Sequence, residues 1–528
     1  MSEKEKIAAA TGVVGTATLL SRILGYLRDM VIAYFFGAGL ETDAFFVAFR
    51  IPNTLRRLFG EGSLTVSFIP VFSEYIEHRN EREWRELVNS GFTFLFLLLA
   101  IASVLGIGFA PWIARILALG WNTPGKIESL HLAVPLLRVV FPYLFFIGLV
   151  ALSMGVLNAL GHFAAPAIAP SLLNISMIAS AFLLFRHVSP PVMALAIGVL
   201  VGGVAQLLFQ IPFLMKKGIW FQPSFDFWSN PGIRRIGVLM LPGVMGTAVI
   251  QINVFVSQIL ATFLKTGSVS VLYYSYRLTE FPLGIFAVAV GTAALPSFSR
   301  LVTQNRPEEF REAIDFTVRL VLFLTIPAMV GLIVLRVPII QILFQRGQFD
   351  FESTLMTAQA LLFYAVGLWA MAGVRVIAPA FYAQQDMRSP VKASILALIG
   401  NAVFGIVLMG PLKHSGLALA NSLAATLNFV FLILLMAKKV GSLDWWKTLR
   451  SVVKALGASM PTGLIVFRLS RLGEWGEAGS SIKDLAVLMI CILAGFGTYV
   501  GVSLIVRSEE ALFLISTLKR RVGGRSWK

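Results

Sequence analysis

The stretch "SRILGYLRDM" at residues 21–30 places three charged side chains inside a long apolar run. Arg22 and Asp29 are seven residues apart and share one stripe of a helix, whereas Arg28 lies about 100° around the helix from Asp29. Arginine suits bidentate contacts with phosphate and carboxylate groups. This stretch is therefore a candidate anion-binding segment.

A second charged stripe follows in the next apolar stretch. Asp43, Arg50 and Arg57 are spaced by seven residues, and Glu61 follows four residues later, so these side chains lie close to one face of a helix. Arg56 lies beside this stripe. The pattern is compatible with buried ion pairs that lock helices together and with the lining of a polar cavity.

A third charged pair lies in the second half of the chain. Arg277 and Glu280 are spaced i, i+3, so their side chains are predicted to touch. Across the three stretches six arginines stand against four acids: Arg22, Arg28, Arg50, Arg56, Arg57 and Arg277 against Asp29, Asp43, Glu61 and Glu280. Internal pairing leaves a cationic surplus. The surplus predicts a cationic cavity that binds an anion, with the acids as supporting or gating partners.

The composition identifies the setting of these charges. The chain has 528 residues, of which 57% are apolar and only 13% are charged, whereas soluble domains carry about 25% charged residues. The sequence is therefore that of an all-α polytopic membrane protein. A charge that faces lipid at the bilayer centre costs about 2.5–3.5 kcal/mol, so the charged side chains are expected to face protein or water.

A membrane-spanning helix needs about 20 mostly apolar residues. Fourteen stretches meet this requirement: 9–37, 43–73, 88–114, 129–159, 165–185, 191–214, 236–264, 269–297, 312–335, 354–383, 390–410, 414–437, 452–470 and 484–506. With both termini in the cytoplasm, most loop lysines and arginines fall on the cytoplasmic side, as the positive-inside rule requires. The net charge of +17 is partly explained by these loops, so no nucleic-acid partner is predicted.

The sequence also repeats itself. "GVVGTA" at 12–17 recurs as "GVMGTA" at 243–248, and "PVFS" at 70–73 recurs as "PSFS" at 296–299. Each repeat contains six predicted spans, so the two lobes enter the membrane in the same direction. The sequence thus predicts three parts: an N-lobe (1–218), a C-lobe (219–440), and helices 13 and 14 with a basic cytoplasmic tail (441–528).

Motifs for covalent chemistry are missing from the sequence. The five histidines show no metal-ligand spacing, the single cysteine is Cys491, and no Walker A motif or nucleophile elbow is found. No cofactor, metal ion or catalytic residue is predicted. Two classes of function stay open from the residues alone: a transporter of an anionic substrate, and a membrane enzyme acting on polyprenyl phosphates.

Four stretches carry a family resemblance: "SRILGYLRD", "GAGLETDAFFVAFRIPNTLRRLFGEGSLTVSFIPVFSEY", "YRLTEFPLGIFAVAVGTAALPSFSR" and "LFQRGQFD". Together they resemble the MurJ (MviN) family of lipid II flippases, within the multidrug/oligosaccharidyl-lipid/polysaccharide exporter superfamily. The resemblance covers essentially the whole chain. It implies two six-helix lobes, a cationic central cavity and a hydrophobic groove formed by the last two helices. A different exporter of this architecture, for another polyprenyl-diphosphate-linked saccharide or a drug, is the alternative.

The resemblance also implies a substrate, a location and site residues. The substrate is lipid II, undecaprenyl-diphosphate-linked disaccharide-pentapeptide, which crosses the bacterial inner membrane during peptidoglycan synthesis and so supports cell wall biogenesis and cell shape. Membrane lipids and the cell-wall synthesis machinery are the other expected partners. The family's essential arginines fall on Arg22, Arg28, Arg56 and Arg277, and its essential acids on Asp43 and Glu280.

One departure from the family concerns the driving force. Some members have an acid in helix 7 that belongs to a proposed sodium site, whereas helix 7 here has Ser257 near that position and no acid. Asp386, near the cytoplasmic end of helix 10, is isolated from that position. Coupling to a monovalent cation of this form is therefore in doubt, and the membrane potential is the other candidate.

Overall fold

A computed structural model of the chain describes residues 3–58, 64–476, 479 and 481–522. Within these ranges the protein consists of α-helices joined by short loops and contains no strand. The helices form two compact units, Met1–Ser270 and Val271–Lys528. The all-α architecture predicted from the composition is confirmed.

In the described part of the first unit there are ten α-helices that end within it. They are α1 (Glu3–Phe36), α2 (Leu40–Leu58), α3 (Leu64–His78), α4 (Glu81–Gly108), α5 (Ala110–Leu117), α6 (Ile127–Val140), α7 (Tyr143–Ala159), α8 (Ala164–Leu184), α9 (Met193–Lys216) and α10 (Pro231–Thr262). Its core is formed by large side chains such as Phe45, Phe68 and Tyr143, which are completely buried. Asn230 caps the start of α10 by accepting a hydrogen bond from the amide of Gly232.

The remaining helices begin with α11 (Ser268–Pro282), whose first three residues belong to the first unit. They continue as α12 (Val288–Thr303), α13 (Pro307–Val334), α14 (Arg336–Phe344), α15 (Phe351–Val366), α16 (Leu368–Ala383), α17 (Arg388–Val440), α18 (Trp445–Ser470), α19 (Ile482–Ile505) and α20 (Glu509–Val522). A π-helical turn at Leu283–Ala287 separates α11 from α12. In the second unit, Tyr499 of α19 donates a hydrogen bond of 2.6 Å to the carbonyl oxygen of Phe323 in α13.

The predicted spans fall on these helices, but several of them are broken. Among the described residues, nine helices are long and apolar enough to cross a membrane, or ten when α15 and α16, bent by 46°, are counted as one span. The stretch 129–159 is interrupted between α6 and α7, but these two helices are counted together as one of the nine. The count of fourteen spans therefore stays a prediction, as do the bounds of the three predicted parts of the chain.

The internal repeat is visible in the helix boundaries. Helices α4 and α13 are both 28 residues long and begin 226 residues apart, at Glu81 and Pro307. Each is followed by a short helix, α5 or α14, and then by a pair of helices that meets at a break. The pairs are α6 and α7 in the first copy and α15 and α16 in the second, so the broken spans are themselves a repeated feature.

Helix α17 contains a sharp reversal between the spans predicted at 390–410 and 414–437. Lys413 has non-helical backbone angles (φ 51°, ψ −131°), so the long helix is two helices joined at this residue. Gly416 lies against the chain before the reversal. A Cβ atom added at Gly416 would come within 2.2 Å of the carbonyl oxygen of Leu408, which belongs to the backbone and cannot rotate away.

We therefore expect Gly416→Ala to destabilise the protein by about 1–3 kcal/mol, the usual cost of overpacking a tight contact. Thermal unfolding of the purified protein, followed by tryptophan fluorescence, measures this change. Gly410→Ala is the matched control, because a Cβ at Gly410 meets nothing within 4 Å, and its effect should stay within about 0.5 kcal/mol. Equal stability of the two variants would contradict the proposed contact.

Candidate functional site

The charged stretch in α1 forms a pair between neighbouring residues. The guanidinium of Arg28 donates to Asp29 Oδ1 from Nη2 at 2.7 Å and from Nε at 3.1 Å. Arg28 Nη1 also donates to Asn174 Oδ1 in α8 at 3.2 Å, and the amide of Asn174 donates to the carbonyl oxygen of Ser21. Adjacent positions do not share a helix face, but the long arginine side chain reaches the carboxylate.

Arg22, one to two turns earlier in α1, has a different environment. Its side chain is exposed, and among the described residues it has no hydrogen-bond or ion-pair partner. The residue lies near the middle of the predicted span 9–37. A lipid-facing position there would cost about 2.5–3.5 kcal/mol, so we infer that Arg22 faces a water-filled space.

Asp43, at the start of α2, is 2% exposed and binds backbone amides. Its carboxylate accepts hydrogen bonds from the amide nitrogens of Gly267 at 2.6 Å and Ser270 at 2.8 Å, and from the Ser270 hydroxyl at 2.5 Å. These donors lie at the N-terminal end of α11, where a negative charge is favourable. Asp43 forms no ion pair with any described residue, so hydrogen bonds from backbone amides and the Ser270 hydroxyl hold its carboxylate in place.

The loop that Asp43 holds is fixed at further points. Gly267 has a φ of +92°, and a Cβ there would lie 2.4 Å from the carbonyl oxygen of Ala38. On the other side, Lys126 Nζ donates to the carbonyl oxygens of Thr262 and Leu264. Burial lowers the pKa of Lys126, and the Asp43 carboxylate opposes this by raising it. Asp43 and Lys126 thus both bind the backbone of the connection between α10 and α11.

Two arginines of α2 donate hydrogen bonds to amide side chains. Arg50 Nε donates to the side-chain oxygen of Gln258 in α10, and Arg56 Nε donates to Asn53 Oδ1 at 3.2 Å. The backbone of Arg57 lies in α2, whereas its side chain and all of Glu61 lie outside the described residues. Sequence reasoning missed Asn174 and Gln258 because it considered only charges; buried amide side chains in apolar helices were the available signal.

The predicted pair in α11 is present. Arg277 Nη1 donates to Glu280 Oε2 at 3.1 Å, and both side chains are 25% exposed. The pair lies one turn before the π-helical segment Leu283–Ala287, and such segments are frequent at functional sites. Because both residues belong to one helix, their contact does not depend on how other helices are arranged.

Asp386 is occupied by local contacts. Its carboxylate contacts Lys439 Nζ at 2.5 Å and accepts hydrogen bonds from the amide and hydroxyl of Ser389. Burial raises the pKa of Asp386, but the hydrogen bonds from Lys439 and Ser389 outweigh this and hold the pKa well below its ordinary value. The residue therefore fixes the start of α17. Within the described residues, no group of three or more metal-ligating side chains is found.

Comparison with known proteins gives concordant matches over nearly the whole chain. A family model described as "Lipid II flippase MurJ" matches residues 32–483. The "Probable lipid II flippase MurJ" of Vibrio cholerae is 38% identical over 500 residues, covering 93% of this chain and 95% of that protein. The "Lipid II flippase MurJ" of Burkholderia cenocepacia is 35% identical over 504 residues, covering 94% and 96%.

Solved structures agree with the sequence matches. "Lipid II flippase MurJ, inward closed conformation" superposes with a TM-score of 0.78 at 27% identity and covers 94% of this chain and 98% of that one. An inward-facing multidrug transporter of the MATE family has a TM-score of 0.67 at 16% identity, which shows a shared fold alone. The extent of the family model and the identity of the relatives establish that this chain belongs to the lipid II flippase MurJ family, a family of membrane transporters and not of enzymes.

Proposed function

We propose that this protein moves lipid II from the cytoplasmic to the outer leaflet of the bacterial inner membrane, by alternating access of a cationic cavity. The observation that carries this proposal is the position of Arg22, which is exposed within a predicted span and has no partner among the described residues. An arginine at that depth is stable only when water or an anion contacts its guanidinium group. The diphosphate of lipid II is an anion with the oxygen geometry that guanidinium groups bind.

The proposed diphosphate ligands are Arg22, Arg28, Arg56 and Arg277. Two of them already contact a carboxylate, Asp29 for Arg28 and Glu280 for Arg277. Such a carboxylate neutralises the guanidinium while the site is empty and competes with the phosphate when substrate arrives. The two acids thereby lower the affinity of the arginines for the diphosphate, so that the substrate can dissociate after transport.

Asp43 is proposed to act as a gate residue. Alternating access requires that contacts closing one side of the cavity break when that side opens. The carboxylate of Asp43 joins α2 to the N-terminal end of α11 through three hydrogen bonds from Gly267 and Ser270. These bonds connect different helices and are buried, so they resist opening until other contacts replace them.

Both termini are proposed to lie in the cytoplasm, as the distribution of loop charges indicates. The membrane potential is proposed to drive transport, since it supplies about 2.3 kcal/mol per charge per 100 mV. Asp386 does not substitute for the missing helix 7 acid in this proposal, because Lys439 and Ser389 already bind its carboxylate. Contact with the cell-wall synthesis machinery follows from the substrate and stays a proposal.

If Asp43 is a gate residue, the variant Asp43→Asn should weaken the hydrogen bonds that hold the backbone at Gly267 and Ser270. An asparagine keeps the size of the side chain but loses the charge and one acceptor oxygen. Hydrogen exchange at the amides of Gly267 and Ser270 should accelerate by about tenfold, as expected for weakened charge-assisted hydrogen bonds. Mass spectrometry of exchange in the purified protein measures this.

Asp350→Asn is the matched control for the gate. Asp350 caps α15 by accepting a hydrogen bond of 2.8 Å from the amide of Ser353. Its substitution should accelerate exchange at Ser353 and leave the amides of 267–270 unchanged. If exchange at Gly267 and Ser270 is unaltered in Asp43→Asn, the Asp43 carboxylate does not stabilise this segment and the gate assignment is wrong.

The ligand assignment predicts that Arg22→Ala, Arg28→Ala and Arg277→Ala each abolish growth when they replace the wild-type protein in depleted cells, at near-normal abundance. Lysine at these positions should restore growth only partly, because it lacks the bidentate fork. Translocation of lipid II by the purified protein in vesicles gives the direct measurement. Arg306→Ala, which removes an exposed arginine outside the predicted spans, should behave like wild type. Normal growth of all three alanine variants would exclude the proposed site.

The competitor role of Glu280 predicts the behaviour of Glu280→Gln. This variant keeps the size and hydrogen bonding of the side chain but removes its charge, so the purified protein should bind lipid II more tightly and turn over more slowly. A fixed structural role instead predicts lower abundance with unchanged affinity. Glu309→Gln is the matched control, because Glu309 forms an exposed i, i+3 pair with Arg306 at 3.2 Å. Binding no tighter than wild type at equal folded concentration would refute the competitor role.

A further inference from the structure

The short helix that follows the long helix α4 or α13 differs in sequence between the two copies of the repeat. It reads "PWIARIL" at 111–117 in α5 and "PIIQILF" at 338–344 in α14. Aligning the two prolines places Arg115 of the first copy at the position of Ile342 in the second. The same helix face is therefore cationic in one copy and apolar in the other.

In the second copy this face is covered by protein. Ile342 is buried in a cluster with Val466 of α18 and Cys491 of α19. Beside it, Gln341 Nε2 donates a hydrogen bond of 2.8 Å to the carbonyl oxygen of Gly479, in the connection between α18 and α19. The last two apolar helices of the chain thus occupy the face of α14 that corresponds to the Arg115 face of α5.

In the first copy the corresponding face is open. Trp112 is 63% exposed and Ile116 is 61% exposed. The Arg115 guanidinium lies 5.6 Å from the centre of the Trp112 ring. Between α5 and α6 is a cavity of about 270 Å³ with Arg115 and His131 among its lining residues and Ile127 in its apolar wall. The cavity is slightly smaller than sites for drug-sized ligands, which begin at about 300 Å³.

The position of α5 along the membrane normal follows from α4. A helix of 28 residues is about 42 Å long at 1.5 Å per residue, which matches the thickness of a bilayer with its headgroups. Helix α4 begins with the acidic residues Glu81 and Glu83 at one membrane surface, so α5 lies at the headgroup level of the opposite surface. Exposed tryptophan and arginine side chains are typical of this level.

We propose that the cavity between α5 and α6 binds the phosphate of an anionic glycerophospholipid, with Arg115 and His131 as its polar contacts. The acyl chains lie against the exposed apolar surface formed by Ile116 and Ile127. In the proposed orientation of the chain, this lipid belongs to the outer leaflet. The site is separate from the proposed diphosphate ligands and does not depend on them.

A helical hairpin from another protein is the competing occupant, because a hairpin covers this face in the second copy. The residue at the centre of the face decides between the two. An apolar Ile342 packs against helices, whereas a charged Arg115 in such an interface requires an anionic partner at the same depth. Every anionic lipid supplies a phosphate at that depth, so the charge favours lipid.

The test is native mass spectrometry of the full-length protein in detergent, titrated with dioleoylphosphatidylglycerol and, separately, with dioleoylphosphatidylcholine. The wild type should bind the anionic lipid in preference. The double variant Arg115→Gln, His131→Gln should weaken binding of the anionic lipid by about tenfold, through the loss of charge-assisted hydrogen bonds. Binding of the zwitterionic lipid should not change.

The chain offers a matched control in Arg186 and His187, an exposed arginine and histidine in the loop between α8 and α9. The variant Arg186→Gln, His187→Gln should keep the wild-type preference. If both double variants lose binding of the anionic lipid equally, the proposal is wrong and the lipid is attracted by the overall surface charge. Displacement by sn-glycerol 3-phosphate would overturn it in favour of a soluble ligand, and a stoichiometric co-purifying membrane protein lost only in the Arg115 variant would overturn it in favour of a hairpin.

Discussion

A charge inside a bilayer must be paired or hydrated, and this requirement organises the first unit of the protein. Asp43 meets it with backbone amides, Arg28 with a neighbouring carboxylate and an amide side chain, and Arg50 with a glutamine. Each of these contacts either holds a helix terminus in place or joins two helices. Arg22 has none of these partners among the described residues, so water or an anion must supply what the protein does not.

The two copies of the repeat share their helix arrangement but differ in the charge of corresponding surfaces. The helix boundaries of the two copies agree closely, including the breaks between α6 and α7 and between α15 and α16. The charges do not agree: Arg115 corresponds to Ile342, and the first helix of the second copy lacks counterparts of Arg28 and Asp29. The helix arrangement is therefore common to both copies, whereas the positions of the charged side chains differ between them.

Periodicity and composition predict the helices well, because apolar length is the dominant requirement in a membrane. They also predict the reversal at Lys413, which lies between the spans 390–410 and 414–437. They do not predict the breaks inside a span, such as the 46° bend between α15 and α16, because the sequence is apolar on both sides of the bend. Spacing correctly predicted the contact between Arg277 and Glu280, which is local. It did not predict that Asp43 binds the N-terminal end of α11, because that contact joins residues more than 220 positions apart.

The contacts of the charged residues differ in whether a rearrangement of helices can break them. Arg28 and Asp29 are adjacent, and Arg277 and Glu280 lie on one turn, so each pair moves as part of its own helix. These pairs can therefore persist when helices rearrange. Under the proposed function, an incoming phosphate then competes with the same carboxylate on either side of the membrane. The bonds of Asp43 join different helices and are sensitive to rearrangement. Under the proposed function, contacts within helices set the affinity for the headgroup and contacts between helices set which side is open. A transporter built in this way can change the direction of its opening without changing how strongly it holds the headgroup.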